Sequence, residues 1–302
     1  MGMPVHFLAL TDFTGAELTA LLDSADEMRE AWTARRMPAD LAGRNIALIW
    51  DAAGFRNRAA FELGIAALGG RAVQIPGKLD QREPIEDVAR YLENWFDAIV
   101  ARTESHRHLE RLAAAVRIPV VNARTDHNHP CEVLGDLTYL RARRGNLDGL
   151  RVVFVGEATN LCYPWFEAAA RLPIRVTQVC PAGYEADPAW LSRLRVAATG
   201  CIEVSNDLDE SLNGADVVYT DCWPKVSDPA ERAEVERRFL PYQITTEKLR
   251  RAGPDCVFLP CPPVTRGEEV SPEVMGTSGA HVYAAKAYLL HAQNAVLSRL
   301  LR

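Results

Sequence analysis

Long hydrophobic runs are missing from this chain. No apolar stretch approaches the roughly 18–20 residues that span a bilayer, so a membrane-inserted protein is not expected. Blocks of one charge are missing too. The 34 basic and 40 acidic residues are interleaved and leave a formal net charge of −6. Phosphate backbones and anionic lipid surfaces recruit clustered Lys and Arg, so neither nucleic acid nor membrane is an expected partner. The seven cysteines (131, 162, 180, 201, 222, 256 and 261) include no Cys-x-x-Cys pair. That disfavours a structural zinc site and fits reduced thiols. Residues Met1 to His6 are neither basic enough nor followed by a long enough apolar region for a secretion signal, so the cytoplasm is the expected compartment. Internal repeats and low-complexity segments are also absent, which excludes repeat architectures.

What is present is core material. Hydrophobic residues make up 48% of the 302 positions, and a chain of this length is more than one core usually serves, so two domains are expected. Short apolar runs alternate with helical patterns throughout, which predicts parallel βαβ units. Expected strands lie at 45–50, 71–75, 98–101, 120–122, 151–155, 175–179, 217–220 and 256–260; continuous apolar runs suit strands covered on both faces. Expected helices lie at 15–30, 58–68, 85–94, 105–114, 132–144, 163–170, 188–199 and 282–302. Thr14 with Glu17 three positions on reads as a capping box. The turn-rich segment 144–149 places a domain boundary near residue 145. The fold class is therefore α/β, with two doubly wound parallel-sheet domains.

Several strand ends carry polar groups where open α/β sheets hold ligands. The turn from Trp50 into the next helix carries Arg56, Asn57 and Arg58, charge-assisted donors beside free backbone N–H groups; the alternative is a pair of surface arginines. Arg102 follows an apolar strand, as an anion ligand or a salt-bridge partner. Pro130 suits the first turn of a helix and sets His129 at its start, where a neutral imidazole can donate to a carbonyl or simply pack. His127 and His129 lack a third ligand cluster, so no metal is expected. Residues 156–160 follow a strand without G-x-G-x-x-G, which disfavours a nicotinamide cofactor; no cofactor is expected. Asp221 ends another strand, to hold an ammonium group or cap a loop, and Cys261 sits in a proline-rich loop as a substrate contact or buried filler.

In this order the segments resemble the ornithine carbamoyltransferases, within the aspartate/ornithine carbamoyltransferase superfamily, over nearly the full chain. The family's His-Pro-Cys-Gln-x-Leu-x-Asp-Leu corresponds to His129-Pro130-Cys131-Glu132-Val133-Leu134-Gly135-Asp136-Leu137, with Glu132 for Gln. Also similar are Tyr219-Thr220-Asp221-Cys222-Trp223, Pro241-Tyr242-Gln243, Arg266-Gly267-Glu268-Glu269-Val270 and Leu290-His291-Ala292-Gln293. The resemblance implies a carbamoyl-phosphate domain at 1–144, an amino-acid domain at 145–281, and a C-terminal helix at 282–302 packing back on the first. It implies a homotrimer whose shared active sites let Lys78 or Arg82 reach a neighbour. By correspondence Arg56, Asn57, Arg102 and Glu132 would face the phosphate and carbamoyl groups. His129 would polarise the carbamoyl oxygen, Asn160 and Asp221 would hold the amino acid, and Cys261 would lie beside the attacking amine.

The departures are specific. The family's Ser-Thr-Arg-Thr-Arg loop reads Gly54-Phe55-Arg56-Asn57-Arg58, removing hydroxyl donors and setting Phe55 to crowd an anion. The Arg preceding Leu-His-x-Gln is Leu289, and Glu132 places an acid near a dianion, unfavourable unless protonated or cation-paired. His-Cys-Leu-Pro has become Pro260-Cys261-Pro262-Pro263, and the ornithine-reading Ser-Met-Gly is Lys225-Val226-Ser227. These changes predict a carbamoyltransferase-like enzyme of amino-acid metabolism that uses carbamoyl phosphate and an amino acid other than ornithine, with Lys225 among the acceptor-reading residues. Two alternatives stand beside it: an enzyme of specialised metabolism using another electrophile, and a non-catalytic ligand-binding relative.

Overall fold

The computed structural model describes residues 5–51 and 53–302. The reading of the N-terminus as lacking a secretion signal rests partly on residues 1–4, which lie outside the described residues, as does Ala52 in the first strand-to-helix turn.

In chain order the first elements are α1 (Gly15–Thr33), β1 (Asn45–Trp50), α2 (Phe55–Ala67), β2 (Arg71–Ile75), α3 (Ile85–Glu93), β3 (Ala98–Arg102), α4 (His106–Ala114), β4 (Val120–Arg124) and α5 (Pro130–Arg144). Then follow β5 (Arg151–Val155), α6 (Cys162–Arg171), β6 (Arg175–Val179), α7 (Pro188–Arg195), β7 (Cys201–Ser205), α8 (Leu208–Leu212), β8 (Val217–Thr220), α9 (Pro229–Phe239), α10 (Thr246–Ala252), β9 (Val257–Pro260), α11 (Val282–Lys286) and α12 (Tyr288–Leu301). Two compact units divide the chain: everything up to Asn146 together with Lys286–Arg302, and Leu147–Ala285.

The first unit is built on a parallel sheet of order β2-β1-β3-β4. Strands β1, β3 and β4 read as apolar runs because both faces are covered. On one face Ile49, Ile99, Ile85, Leu109 and Leu112 form a core with α3 and α4. Elsewhere in the unit α12 packs against α1, α2 and α5. The chain entering the fold adds one more rung: Phe7 donates to Val120 and accepts from Asn122, both at 2.8 Å. The capping box at the start of α1 is formed, with Thr14 and Glu17 satisfying each other's backbone N–H.

The second unit holds a parallel sheet of order β7-β6-β5-β8-β9. Trp165 and Tyr219 are fully buried there, their rings 5.4 Å apart edge to face. The edge strand β7 was not expected from sequence. Its Cys-Ile-Glu-Val-Ser alternation buries only Ile202, as an edge strand can, so no continuous apolar run announces it. Helix α9 was also unexpected, because Val235 and Phe239 are its only buried residues and make too thin a stripe to read.

Each sheet reverses its strand order once, beside β1 and β3 in the first unit and beside β5 and β8 in the second. Ligands of doubly wound sheets bind outside the carboxyl ends of strands at such points.

Candidate active site

At the carboxyl edge of the first sheet, β1 runs out at Trp50 and β3 at Arg102. The register between β3 and β4 slips there: Ala101 faces Asn122, but Arg102 faces Arg124. Such an irregularity re-aims a strand end. Gly54 opens α2 with φ +155°, and a Cβ at that position would lie 2.6 Å from the Arg102 Cζ. The first turn of α2 and the Arg102 guanidinium are therefore in direct contact, and only glycine leaves them room. Phe55 does not crowd the interior as its size suggested. Its ring is 73% exposed and lies under the Arg56 guanidinium, 5.0 Å from centroid to Cζ.

Helix α5 begins at Pro130, whose missing N–H costs nothing in a first turn, and every residue from Pro130 to Leu140 is buried. His129 caps its entrance and is itself buried. Around it runs a continuous polar network. Lys286 Nζ lies 2.8 Å from Glu132 Oε1, 2.8 Å from Asp136 Oδ1 and 3.0 Å from Asp136 Oδ2. Asn57 Nδ2 donates to Glu132 Oε2 at 3.3 Å and lies 3.2 Å from His129 Nε2. Gln293 Nε2 donates to Asn57 Oδ1 at 2.7 Å.

The charges in this network are settled by their neighbours. Burial pushes His129 down, and Arg102, Arg124 and Lys286 reinforce it against Glu132, to about 3, so the imidazole is neutral. Burial would raise Glu132, but the Lys286 ammonium in contact with it, with a smaller contribution from Arg56, holds it below its ordinary value, an ionised carboxylate. The acid expected to disfavour a dianion is thus cation-paired. A carboxylate only accepts, so the Asn57 amide must turn its nitrogen to Glu132 and, with it, to His129 Nε2. Nε2 thus faces both the Asn57 amide and, at 3.5 Å, Glu132 Oε2, while Nδ1 is buried and has no hydrogen-bond partner among the described residues. Cys131, by contrast, is a packing thiol: it donates to the Asn122 carbonyl at 3.3 Å, and burial pushes its ionisation up.

In the second unit the strand ends of β5, β8 and β9 are stitched together. Thr220 Oγ1 donates to the Val155 carbonyl and Cys261 N to the Thr220 carbonyl, both at 2.8 Å. Buried Gln178 bonds the Gly156 and Tyr184 carbonyls and accepts from Ala186, pinning the loop after β5. These ties set Asn160, Asp221 and Cys261 on the loops leaving three neighbouring strands. Cys222 N donates to Asp221 Oδ1 at 2.9 Å, and Cys222 Sγ to the Pro263 carbonyl at 3.2 Å. Asp221 acts on two further carboxyls nearby: burial raises both Glu157 and Glu269, and the Asp221 charge adds to each.

The remaining expected residues lie elsewhere. Lys78 is paired with Glu104 at 2.8 Å, and with Arg82 it borders a hollow of about 350 Å³ in the first unit. Lys225 borders a hollow of about 250 Å³ in the second, with Trp223, Arg232 and Glu268. Sequence reasoning missed Lys286 and the linking role of Gln293. One signal pointed to the lysine: Glu132 and Asp136, four apart on a buried helix, require a cation between them.

Two doubly wound parallel sheets in one chain define the architecture of the carbamoyltransferases. The family pattern described as "Aspartate/ornithine carbamoyltransferase, carbamoyl-P binding domain" matches residues 5–142, and that described as "Asp/Orn binding domain" matches residues 148–300. A protein named ornithine carbamoyltransferase from Carboxydothermus hydrogenoformans is 36% identical over 301 residues, covering 98% of this chain and 97% of the relative. One of the same name from Methylococcus capsulatus is 36% identical, covering 99% of each. The solved ornithine carbamoyltransferase of Pyrococcus furiosus superposes with a TM-score of 0.92 at 32% identity, covering 97% of this chain and 95% of that one. That of Thermus thermophilus gives 0.89 at 33% identity over the full length of both. The chain belongs to the aspartate/ornithine carbamoyltransferase family, and it is a transferase.

These findings overturn one expectation. An acceptor other than ornithine was read from the 225–227 segment and the 260–263 loop, yet the near-full-length relatives are named for ornithine. Nothing in the structure explains how the changed 225–227 segment reads its acceptor; in the first unit, Phe55 is turned outward and Glu132 is paired with Lys286, which bears on the electrophile instead. The alternative of a non-catalytic binder is set aside with it, since the chain belongs to a family of transferases.

Proposed function

We propose that the protein transfers the carbamoyl group of carbamoyl phosphate to the δ-amine of ornithine, forming citrulline and inorganic phosphate. The observation that carries this reading is the neutral His129, buried beside Arg102 with an unpartnered Nδ1. An uncharged N–H held in a dry site is suited to the oxygen of a carbonyl that becomes an oxyanion. Arg56 and Arg102 bind the phosphate, with Asn57 and Glu132 ordering the carbamoyl side. Asn160 and Asp221 hold the α-carboxylate and α-ammonium of ornithine, Cys261 lies beside the δ-amine, and Lys225 borders the acceptor side. The amine attacks the carbonyl carbon, a tetrahedral intermediate forms, and the C–O bond to phosphate breaks as the amine proton passes to the leaving phosphate. Most of the acceleration comes from positioning and charge stabilisation.

The first unit serves carbamoyl phosphate and the second the amino acid, in a cytoplasmic homotrimer where Lys78 and Arg82 serve a neighbouring subunit's site. Among the described residues no helix is long and apolar enough to cross a membrane. The test is incubation with carbamoyl phosphate and ornithine, following citrulline and phosphate together. Equimolar formation of both is expected; no citrulline at any substrate concentration overturns the proposal.

A further inference from the structure

We propose that Lys286 is a positioning residue: by clamping Glu132 as a carboxylate it fixes the Asn57 amide and, through it, the tautomer of His129. The chain of cause has four links. The Lys286 ammonium spans Glu132 and Asp136 at 2.8 Å each, so two buried carboxylates share one cation. Glu132 Oε2, charged and acceptor-only, takes the Asn57 Nδ2 hydrogen at 3.3 Å. Gln293 Nε2 holds the opposite end of that amide at 2.7 Å, so the orientation is set from both sides. The second Nδ2 hydrogen then points to His129 Nε2 at 3.2 Å, between that nitrogen and Glu132 Oε2, which are 3.5 Å apart; with the amide hydrogen directed at Nε2, the imidazole proton is assigned to Nδ1.

Remove the lysine and the second link fails. Two carboxylates four residues apart on a buried helix cannot both stay ionised without a cation, so they retain a proton. A protonated Glu132 is a donor as well as an acceptor. It can then turn the Asn57 amide over, presenting oxygen to His129 and drawing the proton to Nε2. The charged groups acting here are Lys286 from α11, Arg56 from α2, Asp136 from α5, and Arg102 and Arg124 from β3 and β4.

The use of the Nδ1 proton in carbamoyl transfer rests on the proposed function; its placement does not, and the two are tested apart. In ¹⁵N-histidine-labelled protein, the His129 ring signals are identified by their loss in His129→Asn. Wild type should show one neutral tautomer, protonated at Nδ1. Lys286→Met should show the Nε2-protonated form or a mixture, and Lys286→Arg should restore the wild-type pattern. Carbamoyl transfer supplies the second readout. Between pH 5 and 9 the wild-type kcat should lack an acid limb from Glu132. Lys286→Met should gain one, with activity falling as pH falls and recovering as it rises, and kcat should drop ~10–100-fold while KM for carbamoyl phosphate changes less.

A purely structural lysine would lower activity equally at all pH values and leave the tautomer alone. If Lys286→Met does not fold, as judged by circular dichroism, Glu132→Gln carries the same test, since an amide at that position no longer forces the Asn57 orientation. An Nε2 proton in wild type, or an unchanged tautomer in the folded variant, overturns the inference. Wild type with the expected tautomer but no citrulline formation would instead sink the functional proposal alone.

Discussion

Gly135 of α5 and Leu289 of α12 meet backbone to backbone: a Cβ on Gly135 would lie 3.1 Å from the Leu289 Cα and 3.3 Å from its nitrogen. Glycine within a helix costs roughly 0.5–1 kcal/mol relative to alanine, so its presence at mid-helix calls for a compensating contact. The close approach supplies it, and it brings α12 with Gln293 against the helix that carries His129 and Glu132.

Gly135→Ala should therefore destabilise the protein, although alanine is the better helix former. Pushing two packed helices apart costs about 1–3 kcal/mol. Thermal unfolding should show a lower midpoint than wild type, and citrulline formation should fall with it. A midpoint equal to or above that of wild type would mean the helices have slack that the structure does not show.

Gly54→Ala should damage substrate binding more than stability. The added Cβ meets the Arg102 guanidinium at 2.6 Å, at a φ of +155° that side chains rarely adopt. Arg102 must swing away from the N-terminus of α2. KM for carbamoyl phosphate should rise ~10–100-fold, since misplacing a positioning group by an ångström has effects of that size. Steady-state kinetics in carbamoyl phosphate at saturating ornithine would measure it, and an unchanged KM would show that Arg102 is not a phosphate ligand.

How much of this was legible in the sequence follows from where each signal resides. Most of the eight expected strands, such as β1, β3, β4, β8 and β9, are buried along their length, so their apolar runs stand out from the chain; β2 is a partly exposed edge whose Ala-Val-Gln-Ile was read all the same. Strand β7 is an edge and α9 a nearly solvated helix, and neither needs the pattern that makes an element readable. The places of His129, Arg102, Asn160, Asp221 and Cys261, at a helix start and on the loops or ends of strands, were readable because strand ends and a proline-started helix mark positions in a doubly wound fold. The charge state of Glu132 was not, because it depends on Lys286, 154 positions later in the sequence. Three losses seemed to strike the electrophile's half of the site. Two of them have a local explanation in three dimensions: an aromatic ring turned to solvent, and a buried acid paired with a lysine. Composition and spacing carry no information about such pairings.

Asp221→Asn tests the other half-site. Removing the charge that pairs with an ammonium forfeits about 1.5–3 kcal/mol, roughly 10–100-fold in affinity. KM for ornithine should rise by that factor, with KM for carbamoyl phosphate within about twofold of wild type. The reverse split would assign Asp221 to the wrong substrate.

Glu269 gives the protein a pH-dependent stability of predictable sign. Glu269 is 1% exposed; Oε1 accepts the Thr265 N–H at 2.5 Å, and Oε2 is buried with no hydrogen-bond partner among the described residues. Burial, with the charges of Glu268 and Asp221, pushes it up to about 7 from 4.5. Below pH 4.5 the folded and unfolded chains both hold the proton, and this carboxyl contributes no pH dependence. Between about 4.5 and 7 the unfolded chain has released its proton while the folded chain retains it, so raising the pH progressively removes stability, by about 3 kcal/mol in all. Above 7 the loss is complete. Glu269→Gln keeps an oxygen for the Thr265 N–H and cannot ionise. Its stability should match wild type to within about 1 kcal/mol near pH 4.5 and exceed it by about 2 kcal/mol at pH 8. Urea unfolding of both proteins at the two pH values decides the matter: parallel changes in wild type and variant would mean that Glu269 is already ionised in the folded protein at neutral pH.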